Sequence, residues 1–348
     1  MKAAYATKLG GDAPLDNLEI GTRTDPTPKD GEVRIRVHAV SLNHHDYFTL
    51  RGIVGYPIET LPRTLGCDAS GTIDSYGPGA PPDALPIGTE VAVYAVRQCG
   101  KCRGCLGPDP MLCRRFTMLS DGDFEGSLAE YVVVPTRNAV RKPSNLTHAQ
   151  AACLGVTYLT AYRMLFVKAA LTPGESVLVQ GAGGGLATAA IQLASVAGLT
   201  VFASSRSQAK LDAVRALGAR FTVAAGKDAA KQILGTTEGD GVDAVIESVG
   251  EPTWGTSLRA VRQGGAVVVA GATAGANPPA DLARIFWRQL RILGSTMGTL
   301  PEFLRLLRFV EERDLKPVID ATYALPEART AFERLASGDH FGKLVVTL

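Results

Sequence analysis

Val177-Leu178-Val179-Gln180-Gly181-Ala182-Gly183-Gly184-Gly185-Leu186-Ala187 runs from a short apolar segment, fit for a buried strand, into a segment with helical spacing. Leu186, Ala190, Leu193, Ala194 and Ala197 recur on one helical face, and Gly198 is placed to cap the end. Between strand and helix lie four glycines and one alanine. Small residues there allow a tight turn and a close backbone approach to a pyrophosphate, which the free N–H groups and dipole of the helix start would attract. Against G-x-G-x-x-G the best register is Ala182, Gly184 and Ala187, so two of the three glycines are alanines. The context predicts a dinucleotide site built from Ala182, Gly183, Gly184, Gly185 and Leu186; the alternative is a turn with no ligand.

Downstream, an acid about 20 residues on would bind the ribose hydroxyls of NAD. The corresponding stretch, Ala203-Ser204-Ser205-Arg206-Ser207, has no acid; it has hydroxyls, Arg206 and, a helical turn later, Lys210. A guanidinium can grip a 2′-phosphate that a carboxylate would repel, so Ser205, Arg206 and Lys210 predict NADP(H). A solvated loop is the alternative.

Further outward, strands are predicted at Thr200 to Ser204, Val242 to Ile246, Ala266 to Ala270 and Arg291 to Leu293, with helices between them, one capped by Ser207. Repeated strand–helix–strand predicts a doubly wound parallel sheet. Before about residue 150 the chain is β-rich: Val33, Ile35, Val37 and Ala39 alternate with Arg34, Arg36 and His38, and Glu90 to Tyr94 and Glu130 to Val134 read as further strands. An amphipathic helix is predicted from Pro301 to Arg313, with strands at Val318 to Tyr323 and Lys343 to Leu348. The fold class is α/β with two domains: 1–150 and 300–348 β-rich, and 151–299 binding the dinucleotide.

The chain has 348 residues, 46% hydrophobic and 20% charged, with 36 Lys and Arg against 34 Asp and Glu, which excludes a disordered chain and offers no basic block for nucleic acid. Ser176 to Ser205 carries no charged side chain before Arg206, but its glycines and polar residues argue against a membrane span. The N-terminus has no long apolar core, and a cytoplasmic location is expected.

Four of six cysteines crowd together as C-x2-C-x2-C-x7-C: Cys99, Cys102, Cys105 and Cys113. Four thiolates close a tetrahedral shell, so the pattern predicts one structural zinc per subunit in a lobe at 97–115. An iron–sulfur cluster is the rival, though its fourth cysteine usually follows sooner and before a proline, whereas here Arg114 follows. Cys67 and Cys153 read as small buried hydrophobes.

The glycine turn and the four cysteines, with Leu65-Gly66-Cys67-Asp68-Ala69-Ser70-Gly71, Gly126-Ser127-Leu128-Ala129-Glu130-Tyr131 and Phe341-Gly342-Lys343-Leu344-Val345, resemble the medium-chain dehydrogenase/reductase superfamily, the zinc alcohol dehydrogenase and quinone oxidoreductase group. The resemblance implies a GroES-like catalytic domain, a Rossmann domain and a homodimer. It implies cofactor contacts from Thr160, Ser248, Val249, Gly271, Ala272, Ser295 and Met297, with Lys343 reaching a phosphate. The positions corresponding to the family's catalytic zinc ligands are Asn43, Cys67, Asp68 and Val156, which implies that the catalytic ion is lost while the structural one is kept. Ser41-Leu42-Asn43-His44-His45-Asp46-Tyr47 resembles the zinc-independent members. Asn43 would hold the nicotinamide ribose or a developing oxyanion, His45 or Tyr47 would donate a proton, and Asp46 would orient a neighbour. The function so implied is an NADPH-dependent reductase of an enone, enal or quinone. The alternatives are a zinc-dependent alcohol or aldehyde dehydrogenase with altered ligands, in which Cys67, Asp68 and His44 or His45 improvise a site, and a non-catalytic NADPH-binding protein.

Overall fold

The computed structural model describes every residue except 54–57 and 59, and the chain divides into two units, Met1–Thr157 with Thr299–Leu348, and Tyr158–Gly298. The stretch 50–62, whose sequence leaves the shape of any substrate pocket open, lies partly outside the described residues.

The second unit carries a parallel six-stranded sheet in the spatial order Phe221–Ala224, Thr200–Ser205, Ser176–Val179, Val242–Glu247, Val261–Val269 and Arg291–Gly294. The strand Ser176–Val179 at its centre is apolar after Ser176, and Val177, Leu178 and Val179 are fully buried, as suits a strand covered on both faces. The helix Gly185–Val196 follows the first strand and buries Ile191 and Leu193 completely, each contributing roughly 1.5–3 kcal/mol of transfer free energy. Strand order reverses beside Ser176–Val179, which puts the glycine turn at the switch point where doubly wound sheets bind ligands. The α/β architecture expected from the sequence is the one observed.

The first unit is built on a seven-stranded sheet, largely antiparallel, with the path Ala139–Arg141, Glu90–Val93, Ser70–Tyr76, Glu32–Ser41, Lys343–Thr347 and Ile319–Ala324; Tyr131–Pro135 also pairs with Glu32–Ser41. The alternation expected at 33–39 is real, with Val33, Ile35, Val37 and Ala39 all buried. Lys343–Thr347 lies antiparallel beside Glu32–Ser41, with Val345 opposite Ser41. This pairing returns the end of the chain to the segment holding Asn43. A two-stranded ribbon, Val96–Arg97 with Thr117–Met118, closes the base of the four-cysteine lobe. Among the described residues no helix is long and apolar enough to cross a membrane.

Candidate active site and metal centres

Asn43 follows the strand Glu32–Ser41 and is the N-cap of the helix His44–Leu50. Asp46, in the first turn of that helix, accepts the Asn43 N–H at 2.8 Å on Oδ2 and the Gly66 N–H at 3.1 Å on Oδ1. Those two bonds tie the helix start to the segment carrying Cys67 and Asp68. Gly66 holds φ +97°, and a Cβ there would sit 2.6 Å from the Leu128 nitrogen, so only glycine fits. The result is that one ligand atom each from His45, Asp46 and Cys67 lie within 4.8 Å of one another.

The electrostatics of this group are those of a buried anionic centre. The Cys67 thiol donates to Asp46, and burial, reinforced by Asp46 and Asp68, pushes the thiol well above its ordinary range. Burial also raises Asp46, and it lifts Asp68 to about 6 despite Lys343, Asn43 and Ser41 nearby. Asp68 Oδ2 accepts from Ser41 Oγ at 2.7 Å and Asn43 Nδ2 at 2.9 Å, while its Oδ1 is buried with no partner. Burial alone would lower His45, but the hydrogen bond and charge of Asp121, with Asp46, hold it above its ordinary value. His45 Nε2 lies 3.3 Å from Asp121 Oδ2, and its Nδ1 is buried with no hydrogen-bond partner. A histidine nitrogen, a carboxylate and a thiol gathered at one point are a donor set that fits zinc.

The second cluster is the lobe. Sγ of Cys99 is 3.8 Å from Cys105 and 3.6 Å from Cys113, and Cys102 is 3.7 Å from Cys105. Four sulfurs about 2.3 Å from a central ion would stand roughly 3.8 Å apart, so the cluster fits a single tetrahedral ion. Backbone N–H groups of Cys105 and Arg114 pull the Cys102 thiol down to about 6.

In the second unit, Gly181 and Gly183 take φ +68° and +112°, and Gly184 caps the helix. The left-handed conformations thus fall on Gly181 and Gly183, while Ala182 is pinned by its N–H to Ser204 O at 2.7 Å. A Cβ on Gly183 would stand 2.5 Å from Cδ of Lys210, whose chain crosses the turn. Ser205 is buried at its strand end and Arg206 is exposed. Ser248 and Val249 follow the strand Val242–Glu247, Gly271 and Ala272 follow Val261–Val269, and the two loops are joined by Thr273 N to Ser248 O at 3.2 Å and Ala274 N to Val249 O at 2.8 Å. Ser295 Oγ is buried without a partner, and Thr160 Oγ1 donates to Met297 Sδ at 3.8 Å. Under the turn, Glu247 is buried, its Oε1 accepting from the N–H groups of Val249 and Gly250 at 2.8 and 3.1 Å.

Residues 29–144 match the alcohol dehydrogenase GroES-like domain and residues 185–312 the zinc-binding dehydrogenase family. A curated relative from Saccharolobus solfataricus, named NAD-dependent alcohol dehydrogenase, is 32% identical over 99% of both chains. A crystal structure titled NAD-dependent alcohol dehydrogenase superposes with a TM-score of 0.92 at 36% identity over all of both chains. A cobalt- and zinc-bound thermostable alcohol dehydrogenase from Pyrobaculum aerophilum superposes at 0.88 and 31%, covering 100% of this chain and 99% of that one. Fold, metal-ligand groups and relatives together define a nicotinamide-linked oxidoreductase of the medium-chain type. The chain belongs to the zinc-type alcohol dehydrogenase family of that superfamily.

These findings correct the sequence reading at its centre. The catalytic ligand group was expected to be missing because Asn43, Cys67, Asp68 and Val156 replace the family's ligands position by position. The fold instead brings His45 and Asp46, on the helix after Asn43, to Cys67. Asn43 itself is a hydrogen-bond hub: Oδ1 accepts from Lys343 at 2.6 Å, and Nδ2 reaches Asp68, Cys67 at 3.3 Å and Ser41 O at 3.1 Å. The metal-free enone or quinone reductase falls with that expectation, and Cys67, buried as expected, stands in the ligand group with His45. Asp46, which accepts from the Asn43 and Gly66 N–H groups, also stands in the ligand group. Tyr47 is half-buried and enters none of these hydrogen bonds. Lys343, expected at a phosphate, is buried with Nζ on Leu42 O and Asn43 Oδ1, each at 2.6 Å. NADP(H) is not supported either: the relatives above are named for NAD, and an exposed Arg206 is not a built phosphate clamp. Sequence reasoning missed Asp121 and the partnership of Ser41 with Asp68; Asp121 follows the cysteine lobe in a loop with no motif to mark it.

Proposed function

We propose that this protein is a zinc-dependent alcohol dehydrogenase using NAD(H), with its catalytic ion held by His45, Asp46 and Cys67 and a structural ion held by Cys99, Cys102, Cys105 and Cys113. The observation carrying this is the convergence of three donor types within 4.8 Å beside an imidazole Nδ1 that has no other partner. When bound, the ion supplies Lewis acidity to an alcohol or carbonyl oxygen at the open position. The chain's own part is to hold protons off that position. Cys67 would hold the ion as a thiolate, its proton released to solvent on metal binding, with the Asn43 Nδ2 group 3.3 Å away donating to the sulfur. Asp121 keeps Nε2 of His45 engaged and leaves Nδ1 to the ion. Lys343 fixes the Asn43 amide with its NH2 toward Cys67 and Asp68. NAD(H) is supported by the names of the relatives and by the neutral Ser205 hydroxyl at the strand end, which suits ribose hydroxyls. The partner proposed is a second copy of the chain.

Metal analysis with steady-state kinetics tests the proposal. We expect two zinc ions per chain, alcohol oxidation with NAD⁺ favoured over NADP⁺, and one zinc with activity reduced at least about 1,000-fold in Cys67→Ala. A single zinc in the wild-type protein, or Cys67→Ala retaining both ions, overturns the assignment.

A further inference from the structure

Asp121 belongs to the loop that follows the cysteine lobe, yet its side chain, 4% exposed, reaches back to His45. The path to that position is built rather than casual. Thr117–Met118 pairs with Val96–Arg97, and Leu119 N donates to Ala95 O at 3.0 Å. Ser120, fully buried, then takes φ +75°, a conformation costly for a residue with a Cβ. The turn closes through Asp121 N to Met118 O at 3.0 Å and Phe124 N to Asp121 O at 2.9 Å, and Arg63 donates to Gly122 O at 2.7 Å. Arg97 adds an ion pair to Asp123 and lies over the Phe124 ring. The strained Ser120 turn presents a buried carboxylate to one nitrogen of His45, and only to that nitrogen, leaving the other bare.

We infer that Asp121 is the positioning residue of the His45 centre: it fixes the imidazole's orientation and the tautomer that offers Nδ1 to the ion. The inference rests on the zinc centre proposed above. An imidazole with both nitrogens unpaired in a buried site can rotate or carry its proton on either side, whereas a carboxylate accepting from Nε2–H leaves a lone pair on Nδ1. Asp121 touches neither the ion nor a substrate; it acts through His45.

The test uses full-length zinc-loaded protein and its Co²⁺-substituted form, as wild type, Asp121→Asn and Asp121→Glu. Zinc content is followed against increasing chelator, with visible absorption of the Co²⁺ form as a second readout. Asp121→Asn should release the second ion at roughly 10- to 100-fold lower chelator while keeping the four-cysteine ion, and should alter the Co²⁺ spectrum; Asp121→Glu should recover part of the affinity. Wild-type affinity and spectrum in Asp121→Asn overturn the role of Asp121 and leave the zinc centre standing. A wild-type protein that binds only one ion overturns both. If Asp121→Asn does not fold, Asp121→Glu decides: an unchanged Co²⁺ spectrum overturns the inference and a shifted one supports it.

Discussion

Asn43 joins two buried charges, the Lys343 ammonium and the Asp68 carboxylate. Its carbonyl takes the Lys343 ammonium and its amide takes the Asp68 carboxylate, with Ser41 completing the acceptor. Replacing Asn43 by Ala strips one bond from each ion while both remain buried. Charge-assisted bonds of this kind are worth about 1.5–3 kcal/mol each, so we expect Asn43→Ala, which removes two, to lower the unfolding free energy by about 3–6 kcal/mol in denaturant titration. A change within experimental error would show that Lys343 and Asp68 find each other without it. The residues of this centre were visible in the sequence as types, but their roles were not. A position-by-position match assigns Asn43 to a ligand slot, because a one-dimensional register has no means of showing that the next turn of helix supplies His45 and Asp46 instead. Asp121 was hidden for a different reason: its position depends on the lobe ribbon and on the unusual conformation of Ser120, neither of which leaves a periodic trace.

Elements were more legible, since periodicity reports burial directly. The strands at 176–179 and 200–205 and the helix Gly185–Val196 fall where apolar runs and helical spacing put them, and Ser207 accepts from Lys210 N as the cap of its helix. Histidines on element surfaces were less so. His38 alternates with the apolar residues of its strand, and no motif marks His148. The helix His148–Ala152 packs the His148 ring against His38, centroids 4.6 Å apart, with Ser70 and Glu90 on its two nitrogens at 2.9 and 3.1 Å and Thr72 on His38. Burial lowers both rings, assisted by Arg36 at His38 and by His38 and Lys142 at His148, against the opposing pull of Glu90. Both are therefore neutral when folded at a pH at which the unfolded chain already binds protons. Their contribution to stability is present above the ordinary histidine value of 6.5 and is lost as pH falls through the lowered folded values. Thermal midpoints between about pH 7 and pH 5 should fall less steeply in His148→Gln than in wild type. Equal slopes would remove the pair from the acid response.

At the scale of the molecule, the parallel sheet ends at Arg291–Gly294, which among the described residues is paired on one side only. Next to it the helix Leu282–Trp287 exposes Leu282, Phe286 and Trp287 at 71, 68 and 78%, and Ile292 on the edge strand is 38% exposed. An unpaired edge beside exposed apolar side chains suits self-association through that edge. Trp287→Glu with Ile292→Lys should convert a dimer into a monomer in sedimentation velocity. Unchanged sedimentation of the double variant would place the contact elsewhere, and a monomeric wild type would exclude it. A last consequence belongs to the strand Lys343–Thr347, which inserts beside Glu32–Ser41 although most of the chain separates them. During synthesis, residues 158–298 emerge as an uninterrupted block able to collapse first, whereas the β-rich unit waits for its final strand. A frameshift or protease clip that removes this strand would thus spare the parallel-sheet unit and still strip the Asn43 amide of the ammonium that holds it.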